Sequence, residues 1–131
     1  MIYNSVSASE LLRRRTTVAR RMTINLTQLE NAVVMKVSGR MDTENSAIFS
    51  DACAALLAEG AVHVIADLNE LQYVSSSGLG CFLAAAKELQ TRSGSLTLCG
   101  LHGLPLRVFE MTNLLPLFTV FETTGEAIAA I

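Results

Sequence analysis

Residues 66–83, ADLNELQYVSSSGLGCFL, decide the fold and hold the candidate site. They carry the tail of a buried strand, a short connector and the first turn of an amphipathic helix. At the junction stand three consecutive hydroxyls, Ser75, Ser76 and Ser77, followed by Gly78. A helix start leaves about four backbone N–H groups unpaired and carries roughly half a positive charge. Serine is a favoured cap there, and the same position accommodates a phosphate. A hydroxyl at this corner can therefore cap the helix, act as a nucleophile or accept a phosphoryl group.

Working outward, Ile24, Leu26 and Leu29 alternate with polar residues upstream of the turn Glu30-Asn31. The run Val33, Val34, Met35, Val37 follows and ends at Ser38-Gly39, so the spacing predicts a β-hairpin. Asp42 or Thr43 is placed to cap a helix with Ile48, Phe49, Ala52, Cys53, Leu56 and Leu57 on one face, stopped at Gly60. Residues 62–66, VHVIA, are short and β-branched, as expected of an interior strand. Beyond the serines, Leu79, Phe82, Leu83 and Ala86 mark the buried side of the next helix. Ser93-Gly94 then turns into a strand over 96–99, and a helix with Pro105 in its first turn carries Val108 and Phe109. A short strand over 119–121 precedes Thr123-x-x-Glu126, a capping box for a last helix. A hairpin followed by repeated helix–strand units predicts an α/β fold, a mixed sheet of about four to five strands with crossover helices packed against it.

The 131 residues match one domain with a single core, and a chain that is 50% hydrophobic and 17% charged is one that folds compactly. No apolar run approaches the ~20 residues of a membrane span, so neither membrane insertion nor a secretory leader is expected. Residues 1–22 differ from the rest: five arginines stand there against Glu10, whereas the remainder holds five basic and eleven acidic residues. They read as a basic, flexible extension or as sequence preceding a natural start at Met22, and residues 23–131 as the folded domain. The acidic body argues against nucleic acid as a partner. Cys53, Cys81 and Cys99 sit among apolar neighbours and read as reduced, buried small hydrophobes of a cytoplasmic protein. With no CxxC and no histidine pair, no metal or other cofactor is expected.

Capping alone explains one serine. Three in a row before Gly78-Leu79-Gly80 exceed that need, and Gly80 inside a helix costs roughly 1 kcal/mol. Bare glycines there leave room for a close approach to the backbone. A hydrolase elbow would need G-x-S-x-G, which Tyr73, Val74 and Ser75 do not supply, and a base that only His63 or His102 could provide. A phosphorylation switch needs only an exposed hydroxyl at a neutral contact patch, where the modification adds about −1.5 to −2 charges.

The segment resembles the signature of the STAS domain, the fold of bacterial anti-sigma factor antagonists. Asp67-Leu68-Asn69 and Ser76-Ser77-Gly78-Leu79-Gly80 match that signature at the expected separation, and Gly39-Arg40-Met41-Asp42 resembles the family's Gly-Arg/Glu-Leu-Asp before its first long helix. The resemblance covers about residues 23–131. It implies a non-enzymatic protein that binds an anti-sigma factor, itself an ATP-binding serine kinase of the GHKL-like type. It further implies phosphorylation at Ser76, with Ser77 and Ser75 as neighbouring candidates, and reversal by a PP2C-type phosphatase. By the same resemblance Asp42, Ser75, Ser76, Ser77, Gly78, Leu79 and Gly80 border the partner-binding face. Ser75 departs from the family pattern, which often has aspartate before the acceptor. The family also implies an alternative role, an unphosphorylated accessory subunit of a membrane transport system of the lipid ABC transporter type.

Overall fold

The computed structural model describes residues 14–131. Among these residues, seven strands form one mixed sheet. They are β1 (Arg14–Ala19), β2 (Met22–Gln28), β3 (Val33–Met41), β4 (His63–Asp67), β5 (Leu71–Val74), β6 (Ser95–Cys99) and β7 (Thr119–Phe121). The helices are α1 (Ser46–Ala58), α2 (Ser76–Thr91), α3 (Gly103–Met111) and α4 (Thr124–Ala129), with a 3-10 turn over Leu115–Leu117. The sheet order is β1-β2-β3-β4-β6-β7; the β1–β2 and β2–β3 pairs are antiparallel, and the crossover pairs are parallel.

The nine residues of β3 serve two neighbours. Val33–Lys36 pair with β4, and Gly39–Met41 pair with β5 after a shift of register between Gly39 and Arg40. β5 is therefore an extra strand that brings the chain from the end of β4 to the serines. It and β1 account for the excess over the four to five strands expected. Within the expected extension, residues 14–19 pair with β2, and Arg15 makes a bidentate ion pair with Glu59 at 2.7 and 2.8 Å. Residues 1–13 of that extension lie outside the described residues.

Alternation along the strands gives the sheet two apolar faces. Val33, Met35 and Val37 join Val64, Ala66, Leu96 and Leu98 in the main core beneath α1, α2 and α3. Val34, Ile65 and Cys99 point the other way and pack on Ala127 of α4. The main core contains a run of rings, Phe49 to Phe82 at 4.6 Å, Phe82 to Phe109 at 5.8 Å and Phe109 to Phe118 at 5.5 Å. Such pairs contribute about 0.5–1.5 kcal/mol each beyond the area they bury, so these rings fix the three helices against each other. α4 begins with the expected capping box, Thr123 Oγ1 accepting the Glu126 N–H and Glu126 accepting the Thr123 N–H.

Candidate functional site

β3 and β5 end side by side, and the Ser75 N–H donates to the Met41 carbonyl at 2.8 Å. That bond sets the start of α2 next to the loop that leads to α1. Ser75 keeps extended backbone (φ −83°, ψ 169°), as an N-cap does, and its Oγ accepts the Gly78 N–H at 3.1 Å. The three serines thereby divide: Ser75 is buried, whereas Ser76 and Ser77 are exposed in the first turn. No acidic residue stands in that turn, so nothing within it offsets the positive end of the helix.

Gly78 and Leu79, expected at the partner-facing surface, are inside with Ser75. A Cβ on Gly78 would come within 2.8 Å of Val74 Cγ2 and 3.2 Å of Met41 Cγ. Its bareness lets α2 settle on the strand ends and does not serve an incoming partner. Gly80 is exposed with open space above it. The outward face of the corner thus consists of Ser76, Ser77 and Gly80, bordered by Asp42.

Asp42 does not cap α1, and neither does Thr43; the cap is Asn45. The Asp42 carboxylate instead closes the preceding turn, its Oδ1 accepting the N–H groups of Glu44 and Asn45, both at 3.0 Å. Its Oδ2 meets Arg21, at 2.9 Å from Nε and 2.7 Å from Nη2. Desolvation pushes this carboxyl up, but the Asn45 N–H, the Arg21 guanidinium and the Glu44 N–H outweigh it and hold it below its ordinary value.

Sequence reasoning missed the residue that joins these parts. Asn45 is 3% exposed; its Nδ2 donates to Arg20 O at 2.6 Å and Arg40 O at 2.8 Å, and its Oδ1 accepts the Asp42 N–H at 2.9 Å. One side chain therefore ties the β1–β2 turn, the end of β3 and the start of α1. Gly39 makes the same junction possible: its φ is +92°, and a Cβ there would lie 2.4 Å from Arg21 O. Asparagine ahead of an apolar helical face is a sequence signal for a cap, but its inward bonds have no such signal.

Asp67-Leu68-Asn69 is a structural turn, with Asp67 Oδ1 accepting from Asn69 N at 3.1 Å and Asn69 Nδ2 at 2.7 Å. The histidines are engaged elsewhere: His63 Nδ1 bonds Ser95 Oγ at 3.0 Å, and His102 Nε2 bonds Asn69 O at 2.8 Å. His102 borders an open cleft of about 560 Å³ with Asn69, Glu70 and Gln72. The cysteines are free thiols, Cys99 buried and Cys53 and Cys81 half-buried between α1 and α2. Burial pushes Cys53 up to about 12, with Cys81 adding to it, and pushes Cys99 up to about 11. Among the described residues there is no metal-binding cluster, and no helix is long and apolar enough to cross a membrane.

The STAS domain profile matches residues 23–127. BtrV of Bordetella bronchiseptica, designated a candidate anti-sigma factor antagonist, is 30% identical over 83% of this chain and 94% of its own length. The anti-sigma-B factor antagonist of Listeria monocytogenes is 31% identical over 69% of this chain and 79% of its own. The fold is that of the anti-sigma factor antagonist SpoIIAA in its unphosphorylated form, with a TM-score of 0.73 at 24% identity over 82% of this chain and 94% of that one. SpoIIAA in its phosphorylated form aligns with a TM-score of 0.62 at 22% identity, over 89% of this chain and 97% of that one. Profile, relatives and architecture converge, and the chain belongs to the STAS domain family.

Proposed function

We propose that this protein is an anti-sigma factor antagonist that works by partner switching, with Ser76 as its phosphoacceptor. In the unphosphorylated form, the face formed by Asp42, Ser76, Ser77 and Gly80 docks on an anti-sigma factor and draws it away from its sigma factor. The anti-sigma factor is a GHKL-like serine kinase; it transfers the γ-phosphoryl group of ATP to the Ser76 hydroxyl, and the complex separates. A PP2C-type phosphatase hydrolyses the phosphoserine and restores the binding form.

The observation that carries this reading is the division among the three serines. The Ser75 hydroxyl is consumed as a buried cap, and Ser76 presents a free hydroxyl as the first residue of α2. A phosphate there adds about −1.5 to −2 charges at the positive end of a helix, which the domain accommodates. A docked protein has no such compensation, and like or unpaired charge in an interface costs several kcal/mol. The modification therefore acts on association and leaves the fold alone. The names of the curated relatives support the same reading, as does a fold neighbour known in both phosphorylation states.

The test is affinity capture from the protein's own cells with wild type, Ser76→Ala and Ser76→Asp, together with peptide mass spectrometry of the native protein from growing and stressed cells. Wild type and Ser76→Ala are expected to retain an anti-sigma factor, with Ser76→Asp retaining at least about tenfold less, a difference of about 1.4 kcal/mol. A single phosphate on Ser76 that varies with condition completes the result. Equal retention by both variants, or no phosphate in either condition, overturns the switch in favour of a constitutive accessory subunit of a transport system.

A further inference from the structure

The cations around the corner are not equivalent. Arg21 is spent on Asp42 and Glu44, and Arg15 on Glu59. Arg20 stands 3.8 Å from Glu44. Arg40 is exposed, and among the described residues no carboxylate pairs with it; its guanidinium carbon lies 4.4 Å from the centroid of the Tyr73 ring.

The Arg40 backbone is pinned on two sides, and its guanidinium stacks on Tyr73. The Arg40 N–H donates to Arg21 O at 2.8 Å, the Arg40 carbonyl accepts Asn45 Nδ2 at 2.8 Å, and Tyr73 is its cross-strand partner. The next residue, Met41, accepts the Ser75 N–H. Tyr73 precedes Ser76 by three residues, across the end of β5 and the Ser75 cap. The charge of a stacked cation is not offset by a neighbouring carboxylate, whereas that of one in an ion pair is. Fixing an arginine in one rotamer forfeits much of its side-chain freedom, and an exposed cation–π contact returns only a small part of it. Arg40 is thus an exposed positive charge stacked on Tyr73 in an otherwise acidic body, one residue before the strand end that bonds the serine corner. Arginine and tyrosine are also the side chains that most often dominate protein–protein binding energies, and pre-positioning lowers the cost of association.

We propose that Arg40, supported by Tyr73, is a partner-recognition residue that receives a carboxylate of the protein docking over the serine corner. The Arg-Arg turn between β1 and β2 lies ahead of the residues the family profile matches. The inference rests on the reading of the corner as the docking face.

The test uses the anti-sigma factor that wild type retains, purified and titrated with wild type, Arg40→Lys and Arg40→Ala over a range of salt, with thermal melts of each variant. Arg40→Ala is expected to weaken binding about tenfold to a hundredfold, the range of a central interface residue. Its salt dependence should be flatter than that of wild type, because a screened charge contact has gone. Arg40→Lys, which keeps the charge and loses the planar fork, falls between them. Binding by Arg40→Ala within about twofold of wild type at an unchanged melting temperature removes Arg40 from the interface and leaves the docking face standing. An Arg40→Ala loss whose salt dependence matches that of wild type involves no charge contact and overturns the proposal. If wild type retains no anti-sigma factor, the docking reading fails and this inference falls with it.

Discussion

The Ser75 hydroxyl oxygen accepts the Gly78 N–H at 3.1 Å while Ser76, its neighbour, faces solvent. Capping and modification are thereby assigned to adjacent residues. Ser75→Ala removes the cap and should lower unfolding free energy by about 1 kcal/mol, whereas Ser75→Asp, another good cap, should hold close to wild type. Chemical denaturation of both variants measures this, and phosphopeptide fragmentation should find no phosphate on Ser75.

The two glycines of α2's first turns predict opposite signs. An alanine at Gly78 meets Val74 and Met41 side chains at 2.8 and 3.2 Å, and the repacking should destabilise by roughly 1–3 kcal/mol. An alanine at Gly80 meets nothing and replaces a flexible residue in an exposed helix, which should stabilise by roughly 0.5–1 kcal/mol. Urea midpoints of the two variants should therefore lie on either side of wild type.

Asn45→Ala should be among the most damaging polar truncations near the site. It strips partners from Arg20 O, Arg40 O and the Asp42 N–H in a position only 3% exposed. Each buried group left without a partner costs about 1–3 kcal/mol. Hydrogen exchange at the Asp42 amide should accelerate in the variant, and the β1–β2 turn should lose protection with it.

The thiols set an alkaline limit on stability. Burial raises Cys53 and Cys99 from an ordinary 9.0 to about 12 and about 11 in the fold. Below the ordinary value both folded and unfolded chains hold the proton, and the contribution is fully present. As pH climbs from 9.0 towards about 12, the unfolded chain ionises first and stability falls. Denaturation at neutral pH and at about pH 10 should show the drop, and Cys53→Ser with Cys99→Ser should flatten it. A thiol reagent at neutral pH should label the buried Cys99 only as fast as the chain opens.

Much of the architecture is legible in the amino acids because it is local. The β2–β3 hairpin, the apolar faces of the helices and the Thr123–Glu126 capping box are each written within about one turn or one strand of sequence. β1 is not, since RRTTVA carries two apolar residues and exposes one of them, Val18, to 78%. Its place in the sheet comes from its pairing with β2. β5 is four residues long and finds β3 across the whole of α1 and β4, so periodicity gives it no signature. At the serine corner the position is plain, but which hydroxyl turns inward follows from the backbone that Met41 imposes on Ser75. The Asn45 contact to Arg20 spans 25 residues and has no local signature.

The Arg40–Tyr73 stack also gives the molecule an optical handle. The chain has no tryptophan and two tyrosines, Tyr3 and Tyr73, of which Tyr73 lies under the guanidinium at the rim of the corner. Tyr3→Phe would leave Tyr73 as the sole strong near-ultraviolet emitter. A protein seated over Arg40 would then change the quantum yield of that ring, and arrival and departure could be timed by stopped flow without attaching a dye.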